Sequence, residues 1–133
     1  MKTGDQLGPF QVRVTREQLV RYAGAADDYN PIHYDDALAR RLGLPGVIVH
    51  GMLNMGLIAR FVLEALPPLT SVVEYQARFR QMVQPEELLT IRATVARVDG
   101  TDVALDVVLH GESGRPAVTG SLHVRLPRPE GLL

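Results

Sequence analysis

From residue 73 onward the chain alternates. Val73, Tyr75, Ala77 and Phe79 fall on one side of an extended segment, and Glu74, Gln76, Arg78 and Arg80 on the other. The same period of two runs through Leu89, Ile91, Ala93 and Val95, then Val103, Leu105, Val107 and Leu109, then Val118, Leu122 and Val124. Gln84-Pro85, Asp99-Gly100 and the stretch from Gly111 to Pro116 supply turns between these runs. One-sided alternation belongs to an antiparallel sheet with one face on a core and one in water.

The first half has a different rhythm. Phe10 to Val14 alternates briefly and predicts a first strand. Thr15 with Gln18 three residues on forms a capping box, which predicts a helix through Leu19, Val20 and Tyr22 that ends near Ala26. Asp27 to His33 is polar and holds Asn30-Pro31, and proline disfavours helix in the residue before it, so this is a loop. A short helix follows, acidic at Asp35-Asp36, basic at Arg40-Arg41 and stopped by Gly43. After the turn Leu44-Pro45-Gly46 comes the most apolar stretch, Val47 to Leu66, read as one long helix ending before Pro67-Pro68, with Met52 and Met55 as core fillers. It contains His50, Asn54, Arg60 and Glu64, which makes it a poor membrane span and a good core helix. One strand, helices, a very apolar helix and four strands pack economically when the sheet curls around that helix. The fold class expected is therefore α+β: a single hot-dog domain over residues 1–133, its curved antiparallel sheet wrapped around a long central apolar helix. Only the tail from Pro127 to Leu133 reads as loosely attached.

Composition narrows the function. The chain has 133 residues, 46% hydrophobic and 22% charged, with a net charge of −1, so nothing supplies the positive field that nucleic acid or an anionic membrane requires. Cysteine is absent, which removes disulfides, thiolate nucleophiles and Cys-ligated metals. Met1 to Asp5 leads into no apolar run, so no signal peptide is expected and the chain is placed in the cytoplasm.

Candidate chemistry gathers in two places. Asp28-Tyr29-Asn30-Pro31-Ile32-His33 sets a carboxylate and an imidazole on one kinked loop, where they can converge on a shared water and relay protons. Equally, Asp28 and Asn30 can satisfy loop amides and His33 can cap a helix, since such turns are common. The second place is His50-Gly51 at the mouth of the apolar helix. A helix start leaves N–H groups without intrahelical partners, and a glycine there lets a carbonyl oxygen approach. It can also be a plain, tightly packed helix start. Neither feature is specific alone.

Together they are. Asp28 to His33, then Tyr34-Asp35-Asp36, and later Val49-His50-Gly51-Met52 resemble the MaoC-like or hydratase-2 family of (R)-specific enoyl-CoA hydratases and 3-hydroxyacyl thioester dehydratases. Within it the chain is most similar to the single-hot-dog catalytic subunits of actinobacterial hydroxyacyl dehydratases. The resemblance implies reversible addition of water across a trans-2-enoyl thioester to give the (R)-3-hydroxyacyl thioester. It makes Asp28 and His33 the catalytic pair, which holds the water and shares the acid and base roles. The backbone N–H of Gly51 becomes the oxyanion hole, and Asn30 and Pro31 order the loop. Tyr22, Tyr29 and Tyr34 flank the loop and, with Leu57 and Phe61, can either shape an acyl tunnel or serve as ordinary packing residues. No metal and no bound cofactor are implied, because CoA or acyl-carrier pantetheine enters with the substrate. The partners implied are that thioester and a second hot-dog subunit, a homodimer or a heterodimer, with the site formed at their interface.

The pattern departs from the family in places. Ala26-Asp27 stands where Ser-Gly is common, putting a second carboxylate beside Asp28, and Ala59 replaces a helix hydroxyl found in some members. Asp27 is expected to face solvent. Arg78, Arg80, Arg92 and Arg97 can meet CoA phosphates or an acidic carrier, or form a solvated sheet face, and His110 and His123 read as surface residues. Two other functions share this fold: a thioesterase using Asp28 and a bound water, and a module that binds acyl thioesters without turnover. His33 beside Asp28 argues for the lyase over both.

Overall fold

Thr15 accepts the Gln18 N–H at 3.1 Å while the Gln18 side chain accepts the Thr15 N–H at 2.8 Å. The capping box thus closes as the sequence predicts and starts helix α1, Arg16–Ala26. In the computed structural model, which describes residues 1–128, strand β1 (Gln6–Arg13) precedes it. A one-turn 3-10 helix (Pro31–His33), helix α2 (Asp36–Arg41) and helix α3 (Gly51–Glu64) follow it. Strands β2 (Ser71–Phe79), β3 (Leu88–Asp99), β4 (Asp102–His110) and β5 (Pro116–Arg125) complete the chain's described part. All pairings are antiparallel, in the order β1-β3-β4-β5-β2. The result is the expected curved sheet around α3.

The core lies between that helix and the sheet. Leu57, Ile58 and Val62 sit on one stripe of α3 and meet inward residues such as Ile91, Leu105 and Leu122, all 5% exposed or less. Each such side chain contributes about 1.5–3 kcal/mol by leaving water, so Ile58→Ala would cost about 2–5 kcal/mol. Opposite that stripe, Met52, Gly56, Arg60 and Glu64 are exposed, with Arg60 and Glu64 paired at 3.2 Å. The helix is therefore amphipathic rather than apolar all round. Met52, 59% exposed, is not a core filler, whereas Met55 is partly buried and its carbonyl accepts the Tyr75 hydroxyl at 2.7 Å.

The helix also starts later than the apolar stretch suggests. Val47 to His50 is extended and buried, held by the Ile48 N–H on the Ile32 carbonyl, the Val49 N–H on the Val83 carbonyl and the Val47 N–H on the Asp36 carboxylate. β-branched residues suit such an extended segment. β1 begins at Gln6, ahead of the expected Phe10, and carries a register shift between Leu7 and Phe10.

β2 is an edge strand. Tyr75 and Ala77 are partly buried, but Val73 and Phe79, expected on the inward face with them, are about half exposed because nothing among the described residues covers that edge. β2 and β5 approach so closely that a Cβ on Gly120 would strike the Gln76 carbonyl oxygen. Of the tail expected to be loose, residues 129–133 lie outside the described residues. Among the described residues no helix is long and apolar enough to cross a membrane.

Candidate active site

The end of α1 aims the loop. Asp27 adopts a left-handed conformation with φ of 54° at the helix C-cap, which turns the chain so that Asp27 is exposed and Asp28 partly buried. The Asn30 N–H then reaches the Asp28 carboxylate at 3.3 Å, and the Asn30 side chain accepts the Ile32 N–H at 3.3 Å. Pro31 occupies the first position of the 3-10 turn, where its fixed φ suits a helix start and its missing N–H costs nothing. Two side-chain acceptors and a proline thus set the kink that carries His33 inward.

His33 is 8% exposed. Its Nδ1 lies 2.8 Å from the carbonyl oxygen of Ile48. A carbonyl only accepts, so Nδ1 carries a hydrogen, and in the neutral ring Nε2 keeps its lone pair. That Nε2 is 3.9 Å from Oδ2 of Asp28, whose side chain is 45% exposed. The separation is too long for a direct hydrogen bond and fits a shared oxygen at about 2.8 Å from each. One group is fixed and buried, the other open to an incoming ligand.

His50 completes the cluster. Its ring stacks on that of His33 with centroids 3.7 Å apart and planes 21° apart, and the Tyr22 ring is 4.7 Å away. Burial, reinforced by the neighbouring His33, lowers its proton affinity, so His50 is neutral at neutral pH. Nitrogens of His33 and His50 and a carboxylate oxygen of Asp28 lie within 4.8 Å of one another, a donor set with the composition of a metal centre. Its geometry is another matter: imidazole lone pairs lie in the ring plane, and two stacked rings keep them in near-parallel planes instead of converging on one ion. The arrangement suits proton transfer.

Gly51 opens α3 directly after His50, and no side chain caps that helix start. Its N–H is available beside the positive end of the helix dipole. The Phe79 ring covers the Cα side, so that a Cβ at Gly51 would lie 3.1 Å from it. Of the residues considered for a tunnel, Leu57 is sealed in the core, Phe61 stacks on Phe10 at 5.8 Å, and Tyr29 is exposed on the loop. Arg78 and Arg80 line a groove of about 520 Å³ on the sheet face away from α3, with Gln76, Asp106, Thr119 and Ser121. His123 lies 3.8 Å from Asp102, a carboxylate brought to it by strand pairing, and His110 contacts Arg92 at 3.0 Å. The sequence pattern singles out Asp28, His33 and Gly51 but misses the His33–His50 stack and the Phe79 cover. Both are contacts between distant segments and leave no local signal.

Known proteins resemble this chain in sequence and in fold. The chain is 29% identical over 113 residues to the (R)-specific enoyl-CoA hydratase of Aeromonas caviae, covering 83% of this chain and 84% of that protein. A solved structure of the A. caviae (R)-hydratase, described as involved in PHA biosynthesis, superposes with a TM-score of 0.90 at 25% identity, covering 96% of this chain and 98% of that one. The chain is also 33% identical over 127 residues to the fatty acid synthase subunit beta of Schizosaccharomyces pombe; the match covers 90% of this chain and 6% of that protein. Residues 3–113 match the MaoC like domain, a span that holds the Asp28–His33 loop, His50-Gly51 and most of the sheet, and this chain belongs to the MaoC-like family.

Proposed function

We propose that the protein is a hydro-lyase that adds water reversibly across trans-2-enoyl thioesters to give (R)-3-hydroxyacyl thioesters. The observation that carries this reading is the placement of His33 Nε2, lone pair free, 3.9 Å from the Asp28 carboxylate. A water held between them gives one proton to Nε2 as its oxygen bonds to C3 of the enoyl group, while its other O–H donates a hydrogen bond to Asp28 and stays on as the product hydroxyl. The dyad returns a proton to C2, so water is added with nothing left over. During addition, negative charge gathers on the thioester oxygen. The absence of a side-chain cap at the start of α3, among the described residues, supports the Gly51 N–H as the donor that receives it. Proton transfer and one polarising donor suffice for this chemistry, so the substrate brings the only carrier, CoA or acyl-carrier pantetheine.

The working unit is a pair of hot-dog subunits, a homodimer in the simplest case. β2 offers an unpaired edge with Val72 and Val73 each 46% exposed and Phe79 52% exposed, surface that natural sheet edges cover or charge. The β1 edge is blunted instead by Pro9, which has no N–H, and by the register shift beside it. Phe79 and Met52 both adjoin Gly51, so a subunit seated on β2 would wall the mouth of the site; of the residues considered for an acyl tunnel, the exposed Tyr29 is open to it, while Leu57 and Phe61 are packed within this subunit.

Incubation of the purified protein with crotonyl-CoA tests the reaction. Loss of the enoyl absorbance without release of free thiol supports it. Thiol release would make the protein a thioesterase. A folded, soluble protein that leaves crotonyl-CoA and longer enoyl carriers unchanged would exclude the reading for this chain alone.

A further inference from the structure

His50 is the buried imidazole that the reaction above does not use. It is 1% exposed, and among the described residues neither ring nitrogen has a hydrogen-bond partner or is reached by solvent. No hydrogen bond of ordinary geometry therefore defines its role, although the Asp28 backbone lies near enough to favour its protonated form against the larger effect of burial. What remains is the face of its ring, which lies flat on His33 at 3.7 Å.

We propose that His50 is a positioning residue for His33: a neutral plate that fixes the plane of the His33 ring and confines the stacked pair to a single proton. The Nδ1 bond to Ile48 holds His33 at one atom and leaves the ring free to rock about that bond. A flat neighbour at van der Waals distance removes the rocking, and Nε2 then stays aimed at the volume shared with Asp28. The proton limit follows from charge. The groups facing His50 are His33 from the 3-10 turn, Asp28 from the loop and Tyr22 from α1, with Asn54 one turn further along its own helix. Two imidazolium rings stacked in a buried site repel, and burial makes His50 the ring that stays uncharged. A proton taken from water therefore resides on His33, where it can be returned to C2, and is not lost into the core.

The kinetic side of this inference rests on the hydratase reading; the spectroscopic side does not. His50→Phe keeps a flat ring and His50→Leu does not, and both fill the space with hydrocarbon. The Leu variant is expected to lose kcat by about tenfold or more with KM nearly unchanged, while the Phe variant stays within about threefold of wild type. Nitrogen-15 spectra of histidine-labelled protein are expected to show His33 as one fixed Nδ1–H tautomer in wild type and His50→Phe, and as a tautomer mixture in His50→Leu. In a wild-type titration the two stacked rings are expected not to be protonated together, His50 remaining uncharged. A Leu variant with wild-type kcat and tautomer, equal kcat losses in both folded variants, or simultaneous protonation of the two rings would each overturn the inference. Should wild type fail to hydrate enoyl thioesters, the spectra and titration still decide it, and the wild-type titration does so even if a variant fails to fold.

Discussion

The Nδ1–H of His33 donates to the carbonyl oxygen of Ile48 at 2.8 Å. Two residues before His50, Ile48 belongs to the extended segment that leads into α3, and its own N–H returns to the Ile32 carbonyl at 3.0 Å. This pair of bonds ties the loop that carries Asp28 and His33 to the segment that carries Gly51. In the neutral ring it also selects the tautomer, so one backbone contact fixes the position of the His33 ring, the nitrogen that carries its hydrogen and its distance from the helix mouth. The dyad and the proposed oxyanion donor then move as one unit, which is what a proton transfer matched to charge development requires.

Gly51→Ala tests the helix mouth. The new methyl group would lie 3.1 Å from the Phe79 ring and crowd the approach of a thioester carbonyl while leaving the N–H in place. Misplacement of this kind is expected to lower kcat/KM on the order of 10²-fold. Adding Phe79→Leu gives the methyl group room and should restore part of the loss, as steady-state kinetics on the single and double variants would show.

Val72→Lys tests the subunit interface. The change puts a charge on the exposed edge of β2 and removes no core contact, since Val72 is 46% exposed. Light scattering should show a wild-type dimer and a monomeric variant, with activity falling in parallel. A variant that stays dimeric and active would place the interface elsewhere.

The buried His50 makes stability depend on pH. Its folded-state pKa lies below its usual 6.5, so above that pH neither state carries the proton. As pH falls below it, the unfolded chain takes up a proton that the folded chain refuses, and stability drops by up to about 1.4 kcal/mol per pH unit. Thermal melts from pH 7 to 5 should decline, and His50→Phe should decline less steeply.

Asp36 titrates with the opposite sign. The Val47 N–H and then the Arg16 guanidinium hold its carboxyl below the usual 3.8. The ionised form therefore stabilises the fold at neutral pH, and that contribution is lost as pH falls through the folded-state value. Asp36→Asn should melt below wild type at pH 7, with the gap closing on acidification.

Much of this architecture is legible in the chain, and the exceptions share one cause. The Thr15–Gln18 capping box, the Asn30-Pro31 kink and the period-two strands are local patterns, and each appears where its residues predict. Val47 to His50 misleads because a short apolar run fits helix or strand equally; partners at Ile32, Asp36 and Val83 decide for the extended form. Met52 and Phe79 look like core residues by type, yet their exposure depends on which edge of the sheet stays uncovered. In the site, Asp28 and His33 share one loop and are readable together. His50 reaches His33 only through the fold, so no spacing rule could expose the stack.

The central claim is that Asp28 and His33 hydrate an enoyl thioester together. Its most direct test compares wild type, Asp28→Asn and His33→Gln on crotonyl-CoA, with thermal melts to establish folding and chiral analysis of the product. The account predicts (R)-3-hydroxybutyryl-CoA from wild type and a loss of about 10²–10⁴-fold in kcat for each folded variant. Wild-type turnover by either variant, or an (S) product from wild type, would contradict it.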